Sequence, residues 1–149
     1  MDFDNFLFDN GNDYTPMKAY GRSKLANLLF IYQLQRLFEA KGTGSIAVAA
    51  HPGVSQTNLM RFIDGKFYYR ILKPLSSLFL QSAENGAMPQ IRAAVDPNVK
   101  GGDFYGPDGF NEMKGFPVKV KSNDASHSAE DAVKLWEISE KLTNVNFKF

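Results

Sequence analysis

Cysteine is absent from the 149 residues of this chain, and histidine occurs only twice. The absence of cysteine excludes disulfides, thiolate metal sites and a cysteine nucleophile. The two histidines, His51 and His127, are too few and too far apart in the sequence for a typical metal cluster. We therefore expect a function that uses no metal site.

Neither sign of charge is in excess, and long apolar runs are missing. The formal net charge is +1 and charged residues make up 22% of the chain, which argues against a nucleic-acid-binding face. No uninterrupted apolar run approaches the roughly 18 residues of a membrane-spanning helix. The acidic start, Met1–Asp4, lacks the basic region that opens a signal peptide. These features predict a cytoplasmic protein that does not bind nucleic acid, and none of them favours a membrane.

A long helix is predicted near the start of the chain. Thr15 is suited to cap a helix and Pro16 to occupy its first position, while Gly42 marks its end. The predicted helix runs from about 16 to 41. Its stretch 25–32 is apolar nearly all round, so we expect it to be buried on all sides, with one face on a sheet and another against a second subunit.

The rest of the chain alternates between predicted strands and helices. In chain order the residues predict a strand over Ser45–Ala50, one or two short helices over Thr57–Gln81, a helix from Ser82 to Val95 bent at Pro89, a strand at Asp103–Tyr105, a loop to Lys121, and a last helix from the capping box Ser128–Asp131 to about Leu142. This order is that of an α/β protein with parallel connections. Two strands are too few for an independent parallel sheet, which needs both faces covered.

Tyr20 and Lys24 point most directly to chemistry. They are four positions apart in the predicted helix, so their side chains are neighbours on one face. An ammonium group beside a phenol favours the phenolate, and a phenol that can ionise can donate and accept a proton in catalysis. Tyrosine and lysine at this spacing are also common on solvated helices, so both interpretations are open for these two residues alone.

Longer stretches around this pair resemble the short-chain dehydrogenase/reductase family, most closely its retinol-dehydrogenase-like branch. Met17–Phe30 resembles the active-site helix of the family, and His51–Thr57 resembles its Pro-Gly loop, with a threonine four residues after the glycine. Gln81–Ala87, Gly102–Gly109 and Leu135–Glu140 continue the match. The resemblance covers essentially the whole chain, but only the second half of the family's doubly wound, Rossmann-like parallel sheet with flanking helices.

The resemblance implies a role for each matched residue. Tyr20 would be the acid/base, and Lys24 would support it and bind the nicotinamide ribose. The residues implied to bind the cofactor, NADP or NAD, are Tyr20, Lys24, Pro52, Gly53, Val54 through its amide, and Thr57. The substrate would be a small carbonyl or alcohol compound, lipophilic by analogy with the branch, and the 16–41 helix would form a homo-oligomer interface.

Plainer interpretations of these residues are open as well. Pro52-Gly53 is most often only a turn, and Thr57 could cap the next helix. His51 has no cysteine and no acidic residue near it in the sequence, so a structural role is expected. The segment 61–79, with aromatic and basic residues interspersed, could be a lid over the substrate, ordinary amphipathic packing or a membrane-touching surface.

The features of the family's first half are missing from the sequence. No glycine cluster follows a strand and opens a helix, as a phosphate-binding loop would, and the family's catalytic serine has no counterpart. Residues 1–149 therefore resemble a single, incomplete Rossmann-like domain without its N-terminal strands, and Met1 could be an internal methionine of a longer reading frame. Three hypotheses are open: an oxidoreductase whose upstream half completes it, a non-catalytic remnant that needs a complementary half to fold and binds no dinucleotide alone, or one subunit of an enzyme split into two chains.

Overall fold

The computed structural model describes residues 1–9, 11, 13–54 and 81–148. The described elements, in chain order, are α1 (Pro16–Lys41), β1 (Ala49–Ala50), α2 (Ala83–Val95), β2 (Phe104–Pro107), a 3₁₀ turn (Phe110–Glu112), β3 (Pro117–Lys119), a second 3₁₀ turn (Asp124–His127) and α3 (Ala129–Thr143). The chain forms two compact units, Met1–Ala47 with Ser122–Phe149, and Val48–Lys121. The predicted α/β class is confirmed, while the helices predicted over 57–80 lie outside the described residues.

Helix α1 begins and ends where its sequence predicts. The Thr15 hydroxyl accepts the N–H of Lys18 at 3.2 Å, which satisfies one of the unpaired donors of the first turn. Gly42 has φ of 61°, and its N–H donates to the Glu39 carbonyl at 3.2 Å. This left-handed conformation ends the helix at little steric cost because glycine has no Cβ.

The core of the first unit lies between α1 and α3. Leu29 of α1 is fully buried against Ala132 and Leu135 of α3, which stabilises the contact by about 2 kcal/mol for the leucine alone. The partly buried residues around it are Met1, Phe3, Phe6, Leu25 and Ala26. Phe30 stacks on Trp136 with ring centroids 5.1 Å apart but stays 40% exposed. Helix α3 and the N-terminal residues therefore leave part of the 25–32 stretch uncovered in the single chain, and the expectation that a second subunit covers it stays a prediction.

Helix α3 begins with half of the predicted capping box. The Ser128 hydroxyl accepts the N–H of Asp131 at 3.2 Å. The Asp131 carboxylate pairs with the Met1 amino group, and the Ser128 N–H donates to the Ala125 carbonyl at 3.4 Å. The helix continues to Thr143, one residue beyond the predicted end.

The described residues of the second unit form a three-stranded sheet in the order β1-β2-β3. Strands β1 and β2 are parallel, with Ala49 opposite Phe104 and Ala50 opposite Tyr105. Strands β2 and β3 are antiparallel, with Tyr105 opposite Lys119. The carboxyl end of β1 therefore leads directly into His51 and the turn that follows it.

The first predicted strand is shorter than expected. Of the predicted span Ser45–Ala50, only Ala49 and Ala50 are in strand conformation, and both are partly exposed. The N–H of Ala47 donates at 2.8 Å to the side chain of Gln35 on α1, so this peptide bonds a side chain instead of a neighbouring strand. Ser45, two residues earlier, donates its N–H to the Thr43 hydroxyl at 3.3 Å.

The loop predicted to run to Lys121 contains a strand that the sequence pattern does not predict. The chain turns back after β2, where the Gly109 N–H donates to the Lys114 carbonyl at 3.1 Å, and returns as β3 antiparallel to β2. The three residues of β3 include Pro117, which lacks a donor and is uncommon inside strands. The parallel connections predicted for the chain are therefore supplemented by one hairpin.

Helix α2 packs on the sheet of the second unit. The Ser82 hydroxyl accepts the N–H of Asn85 at 3.2 Å, and the helix ends at Val95, as predicted. Pro89 lies inside the helix and is fully buried. Arg92 of α2 places its guanidinium carbon 5.6 Å from the centroid of the Tyr105 ring, which connects the helix to β2.

A buried carboxylate fixes the start of β2. Asp103 is 5% exposed and accepts the N–H of Lys100 at 3.0 Å and the hydroxyl of Tyr105 at 3.2 Å. It also forms an ion pair with Lys119. Burial by itself would raise the pKa of the Asp103 carboxyl, but Lys119 and the Lys100 N–H together hold that pKa below its usual value.

Candidate functional site

Tyr20 and Lys24 lie together on the first half of α1. The Lys24 Nζ is 5.3 Å from the centroid of the Tyr20 ring, as their spacing of one helical turn predicts. Tyr20 is 49% exposed. The hydroxyl of Ser23, which lies between them in the sequence, bonds back to the Tyr20 carbonyl at 2.8 Å. The phenol is therefore accessible to a ligand and has a cation beside its ring.

Arg22, on the same helical turn, holds the N-terminal segment against α1. Its guanidinium donates to the backbone carbonyls of Asn5 and Phe6 and lies 3.9 Å from the centroid of the Phe8 ring. A fourth contact joins it to the Asp2 carboxylate at 3.4 Å. These contacts position the residues that precede α1 next to the turn that carries Tyr20.

The Pro52–Val54 turn follows β1 in the second unit. The His51 N–H donates to the Tyr105 carbonyl at 2.9 Å, which continues the bonding to β2 one residue beyond the end of β1. Gly53 has φ of 61°, and a Cβ built on it would lie 2.5 Å from the Met113 carbonyl oxygen. The sequence therefore needs glycine here for two reasons, the left-handed backbone and the close approach of another peptide.

Both backbone groups of Val54 are occupied in this structure. Its N–H donates to the Met113 carbonyl at 2.7 Å, and its carbonyl accepts the Gln81 N–H at 3.1 Å. The Gln81 side chain donates to the Pro52 carbonyl and accepts the Gly115 N–H at 3.3 Å. Gln81 therefore joins the Pro52–Val54 turn to the loop between β2 and β3.

His51 has an acidic partner that its sequence neighbourhood does not reveal. The His51 Nε2 lies 2.8 Å from the Glu112 Oε2, although the two residues are 61 positions apart. The sequence-based statement that no acid lies near His51 is therefore wrong in three dimensions. The pair is formed because β2 runs beside β1 and the turn after β2 brings Glu112 back over the end of β1.

A cavity of about 920 Å³ opens beside the same loop of the second unit. Most of the surface of the described lining is apolar, and Phe110 and Phe116 are 81% and 79% exposed. The described lining residues are Gln81, Ser82, Asn85, Met88, Asp108, Gly109, Phe110, Met113, Lys114, Gly115, Phe116 and Pro117. Its volume suits a small organic molecule.

The structure brings the predicted site residues together in two groups. Tyr20 and Lys24 are neighbours in the first unit, while Pro52, Gly53 and Val54 form one turn in the second. Thr57 lies outside the described residues. The roles assigned to all of these residues stay predictions.

The chain is similar to characterised and solved proteins over about nine tenths of its length. It is 35% identical over 147 residues to retinol dehydrogenase 14 of Homo sapiens, covering 93% of this chain and 40% of that protein. It is 31% identical over 143 residues to the short-chain dehydrogenase TIC 32 B, chloroplastic, of Brassica napus, covering 93% and 41%. The crystal structure of an uncharacterized protein from Mycobacterium Paratuberculosis matches with a TM-score of 0.65 and 33% identity, covering 91% and 42%. No protein-family model matches the chain.

The chain belongs to the short-chain dehydrogenase/reductase family. It spans about two fifths of the length of the two relatives named above and corresponds to their C-terminal part. The resemblance predicted from the sequence, including its restriction to one part of the family's fold, is thus confirmed.

Some of the described site residues have hydrogen-bonding groups that could bind the family's nicotinamide cofactor. The exposed Tyr20 and its neighbour Lys24 present a hydroxyl and an ammonium group to solvent, both of which can bond ribose hydroxyls. The Val54 N–H, which the resemblance assigns to the carboxamide, already donates to Met113. A carboxamide that used this N–H would have to replace that bond.

Sequence reasoning missed Glu112, Met113 and Gln81 around the Pro52–Val54 turn. Each is more than 25 positions from the turn, so no local pattern connects them, and only a three-dimensional contact does. Within the described ranges, no three histidine or acidic side chains are grouped so that they could hold a metal ion. No helix in the same ranges has both the length and the apolar character to cross a bilayer.

Proposed function

We propose that the chain carries the proton-transfer part of an NAD(P)-dependent short-chain dehydrogenase/reductase, which interconverts a carbonyl compound and an alcohol. Tyr20 is the acid/base in this proposal. The observation that carries it is the accessible Tyr20 side chain with the Lys24 ammonium 5.3 Å from its ring. Membership of the family supports the reaction class, and the exposure of Tyr20 leaves room for a substrate oxygen at its hydroxyl.

In the reducing direction, the Tyr20 hydroxyl donates its proton to the substrate oxygen. That oxygen becomes negative as the carbonyl carbon gains a hydride, and nicotinamide, when bound, supplies or accepts this hydride. Lys24 stabilises the phenolate that remains, and in the oxidising direction the phenolate accepts the proton from the alcohol. Pro52, Gly53, Val54 and Thr57 border the nicotinamide side of the site in this proposal, and Lys24 bonds the ribose.

The proposed substrate is lipophilic. The support for this is the name of one relative, retinol dehydrogenase 14. Turnover of long-chain aldehydes in preference to short, polar ones is the expected outcome of a substrate series.

The proposal is tested by replacing Tyr20 with phenylalanine in the chain joined to an N-terminal half from a relative. General acid/base groups contribute roughly 10²–10⁴-fold to rate, so Tyr20→Phe should lower turnover with either nicotinamide cofactor by at least about 10²-fold. The matched control is Tyr14→Phe, since Tyr14 is 58% exposed, packs its ring edge-on against Phe8 and has no proposed role. Equal turnover in the two variants would refute the assignment of Tyr20.

A second candidate function is a non-catalytic remnant that docks onto a complementary half. The observation that favours it is the position of β1, a strand of two residues, at one edge of the described sheet. Ile46, three residues before this strand, is 50% exposed. An unpaired strand edge with apolar neighbours favours pairing with another chain. Titration calorimetry of the 149-residue chain with NADP and with NAD separates the candidates, because the remnant binds neither cofactor.

We also propose that α1 forms a homo-oligomer interface. Its support is the family resemblance, which implies an interface at this helix, together with the exposure of two apolar side chains on it, Met17 at 77% and Phe30 at 40%. Light scattering should give a mass of at least twice that of the chain, and Met17→Lys with Phe30→Glu should shift it to the monomer mass. A monomer mass for the unchanged protein would contradict this proposal.

A further inference from the structure

Both ring nitrogens of His51 are used in this structure. Nδ1 accepts the N–H of Gly53, two residues later, at 3.2 Å. Nε2 lies 2.8 Å from the Glu112 carboxylate. The imidazole therefore connects an acidic side chain from the loop between β2 and β3 to the backbone of the Pro52–Val54 turn.

These two contacts determine which nitrogen carries the proton. A nitrogen that accepts an N–H must offer its lone pair, so Nδ1 is unprotonated. A carboxylate can only accept, so Nε2 must carry the hydrogen that points to Glu112. The arrangement selects the neutral Nε2–H tautomer, because the other tautomer would direct an N–H of the ring at the N–H of Gly53 and leave Glu112 facing a lone pair.

The ring is held in place on its other side by β2. A Cβ built on Gly106 would lie 2.1 Å from the His51 Nε2, so the imidazole passes directly over a strand residue that has no side chain. The Phe104 ring lies 5.1 Å away, centroid to centroid. His51 therefore has little freedom to rotate, and its hydrogen bonds are directed by packing as well as by their partners.

The loop that supplies Glu112 is held in a strained conformation. Asn111 and Glu112 have φ of 49° and 54°, in the left-handed region that residues with a Cβ seldom adopt. The next residue, Met113, accepts the Val54 N–H at 2.7 Å. Two consecutive loop residues thus hold the turn on either side of Gly53. Glu112 acts through His51, which precedes the turn, and Met113 acts through the N–H of Val54. Strain of this kind persists where the surrounding contacts determine the conformation, and it occurs often at functional sites.

We propose that His51 and Glu112 form a positioning pair: Glu112 holds His51 in the tautomer that accepts the Gly53 N–H, and this fixes the Pro52–Val54 turn. The statement about the turn stands on the contacts above. Its consequence for the enzyme rests on the proposed function, in which this turn borders the nicotinamide. Neither residue touches a reacting atom in this proposal, and both act through the backbone of the turn.

The tautomer is measured on the 149-residue chain by long-range ¹H–¹⁵N correlation spectra of the imidazole, which show which nitrogen carries the proton. The unchanged chain should show the proton of His51 on Nε2. Glu112→Gln keeps an oxygen that accepts this hydrogen, so the Nε2–H form should persist. Glu112→Ala removes the acceptor, and a population with the proton on Nδ1 should appear.

The contact with Gly53 is measured by amide hydrogen exchange in two matched variants of His51. Asparagine places an oxygen near the position of Nδ1, so His51→Asn should keep the exchange of the Gly53 N–H within about threefold of the unchanged chain. Glutamine reaches towards Glu112 instead, so His51→Gln and Glu112→Ala should speed that exchange about tenfold, the effect of losing one net hydrogen bond. The Ala49 N–H, bonded to Asp103 at 2.9 Å, is the internal control and should not change.

Three results would overturn the proposal: a proton on Nδ1 in the unchanged chain, the same Gly53 exchange in the asparagine and glutamine variants, or an unfolded spectrum for the unchanged chain. If Glu112→Ala unfolds the second unit, faster exchange at Ala49 will reveal it. The Glu112→Gln variant and the two His51 variants then still test the proposal.

In an active enzyme, Glu112→Ala should raise the KM for the nicotinamide cofactor about tenfold and leave kcat within about threefold, and Glu112→Gln should restore the KM. Absence of turnover in the unchanged enzyme would count against the proposed function alone, because the spectra require no cofactor.

Discussion

The N–H of Val54 donates to the carbonyl of Met113 across 2.7 Å, and this bond holds the Pro52–Val54 turn against the loop between β2 and β3. Gly53, which precedes Val54, leaves room for this approach, because a Cβ there would lie 2.5 Å from the same carbonyl oxygen, and it also has a left-handed backbone.

Gly53→Ala should destabilise the protein more than the same change at Gly42. Both glycines have φ of 61°, but a Cβ at Gly53 would lie 2.5 Å from the Met113 carbonyl oxygen, whereas nothing lies within 4 Å of one at Gly42. The left-handed penalty alone is about 1 kcal/mol, and the clash should raise the loss at Gly53 to roughly 3 kcal/mol. Urea unfolding of both variants measures the difference, and equal losses would contradict the close approach.

Replacing Lys24 with methionine should slow catalysis in the completed enzyme without unfolding it. Methionine keeps much of the side chain's length but removes the charge 5.3 Å from the Tyr20 ring. At this distance and an effective dielectric constant of about 20, the charge is worth up to roughly 3 kcal/mol, and exposure of Tyr20 reduces this, so the expected loss in turnover is about tenfold to a hundredfold.

The matched control for Lys24 is Lys18→Met. Lys18 also lies on α1 and is exposed, but it pairs with Asp13. Its replacement should leave turnover within about twofold. A similar loss in both variants would indicate a general effect of positive charge on α1, and Lys24 would lose its assigned role.

Acid should weaken the second unit through Asp103. The folded state lowers the pKa of its carboxyl, chiefly through Lys119 and against the opposing effect of burial. A lowered pKa means that the unfolded chain takes up a proton first, so the stabilisation is fully present above the ordinary carboxyl pKa of 3.8 and is lost as the pH falls through the lower folded value. Unfolding free energy followed from neutral pH down through this range should therefore decline.

The control for this pH dependence is Asp103→Asn, which has no proton to take up. The variant should be less stable at neutral pH, because it loses the ion pair with Lys119. Below the ordinary pKa of an aspartate carboxyl, its stability should depend less on pH than that of the unchanged protein. Parallel pH profiles for the two proteins would show that other carboxyl groups cause the decline.

Leu29→Ala should cost the first unit about 2–5 kcal/mol of unfolding free energy, the usual range for a buried leucine. Leu29 is fully buried between α1 and α3, while Leu142 of α3 is 57% exposed. Leu142→Ala is the matched control and should change stability by less than about 1 kcal/mol. Thermal unfolding followed by the fluorescence of Trp136 reports on this unit, and similar losses in both variants would argue against the described core.

The ends of the helices could be predicted because their determinants are local. Thr15, Gly42, Ser82 and Ser128 each act within three or four residues of their own position, through a hydroxyl that accepts a nearby N–H or a backbone that only glycine adopts easily. The neighbour relationship of Tyr20 and Lys24 follows from helical geometry in the same way. Family resemblance then supplied the functional interpretation, which these local rules alone leave open.

The features that were missed depend on contacts between distant residues. The shortening of the first strand follows from the bond between Gln35 and Ala47, and Gln35 resembles any polar residue on a helix. The pairing of Glu112 with His51 requires a left-handed backbone at a glutamate, which no residue preference predicts. Strand β3 begins with a proline, so its sequence argues for a loop although the hairpin makes it a strand.

Gly106 lies under the imidazole of His51 so closely that even a methyl group at position 106 would displace the ring. Position 106 can therefore gain a side chain only where the residue at 51 is also replaced. Among relatives that share this strand and turn, those with a larger residue at 106 should have replaced the histidine at 51, and those that retain the histidine should retain the glycine.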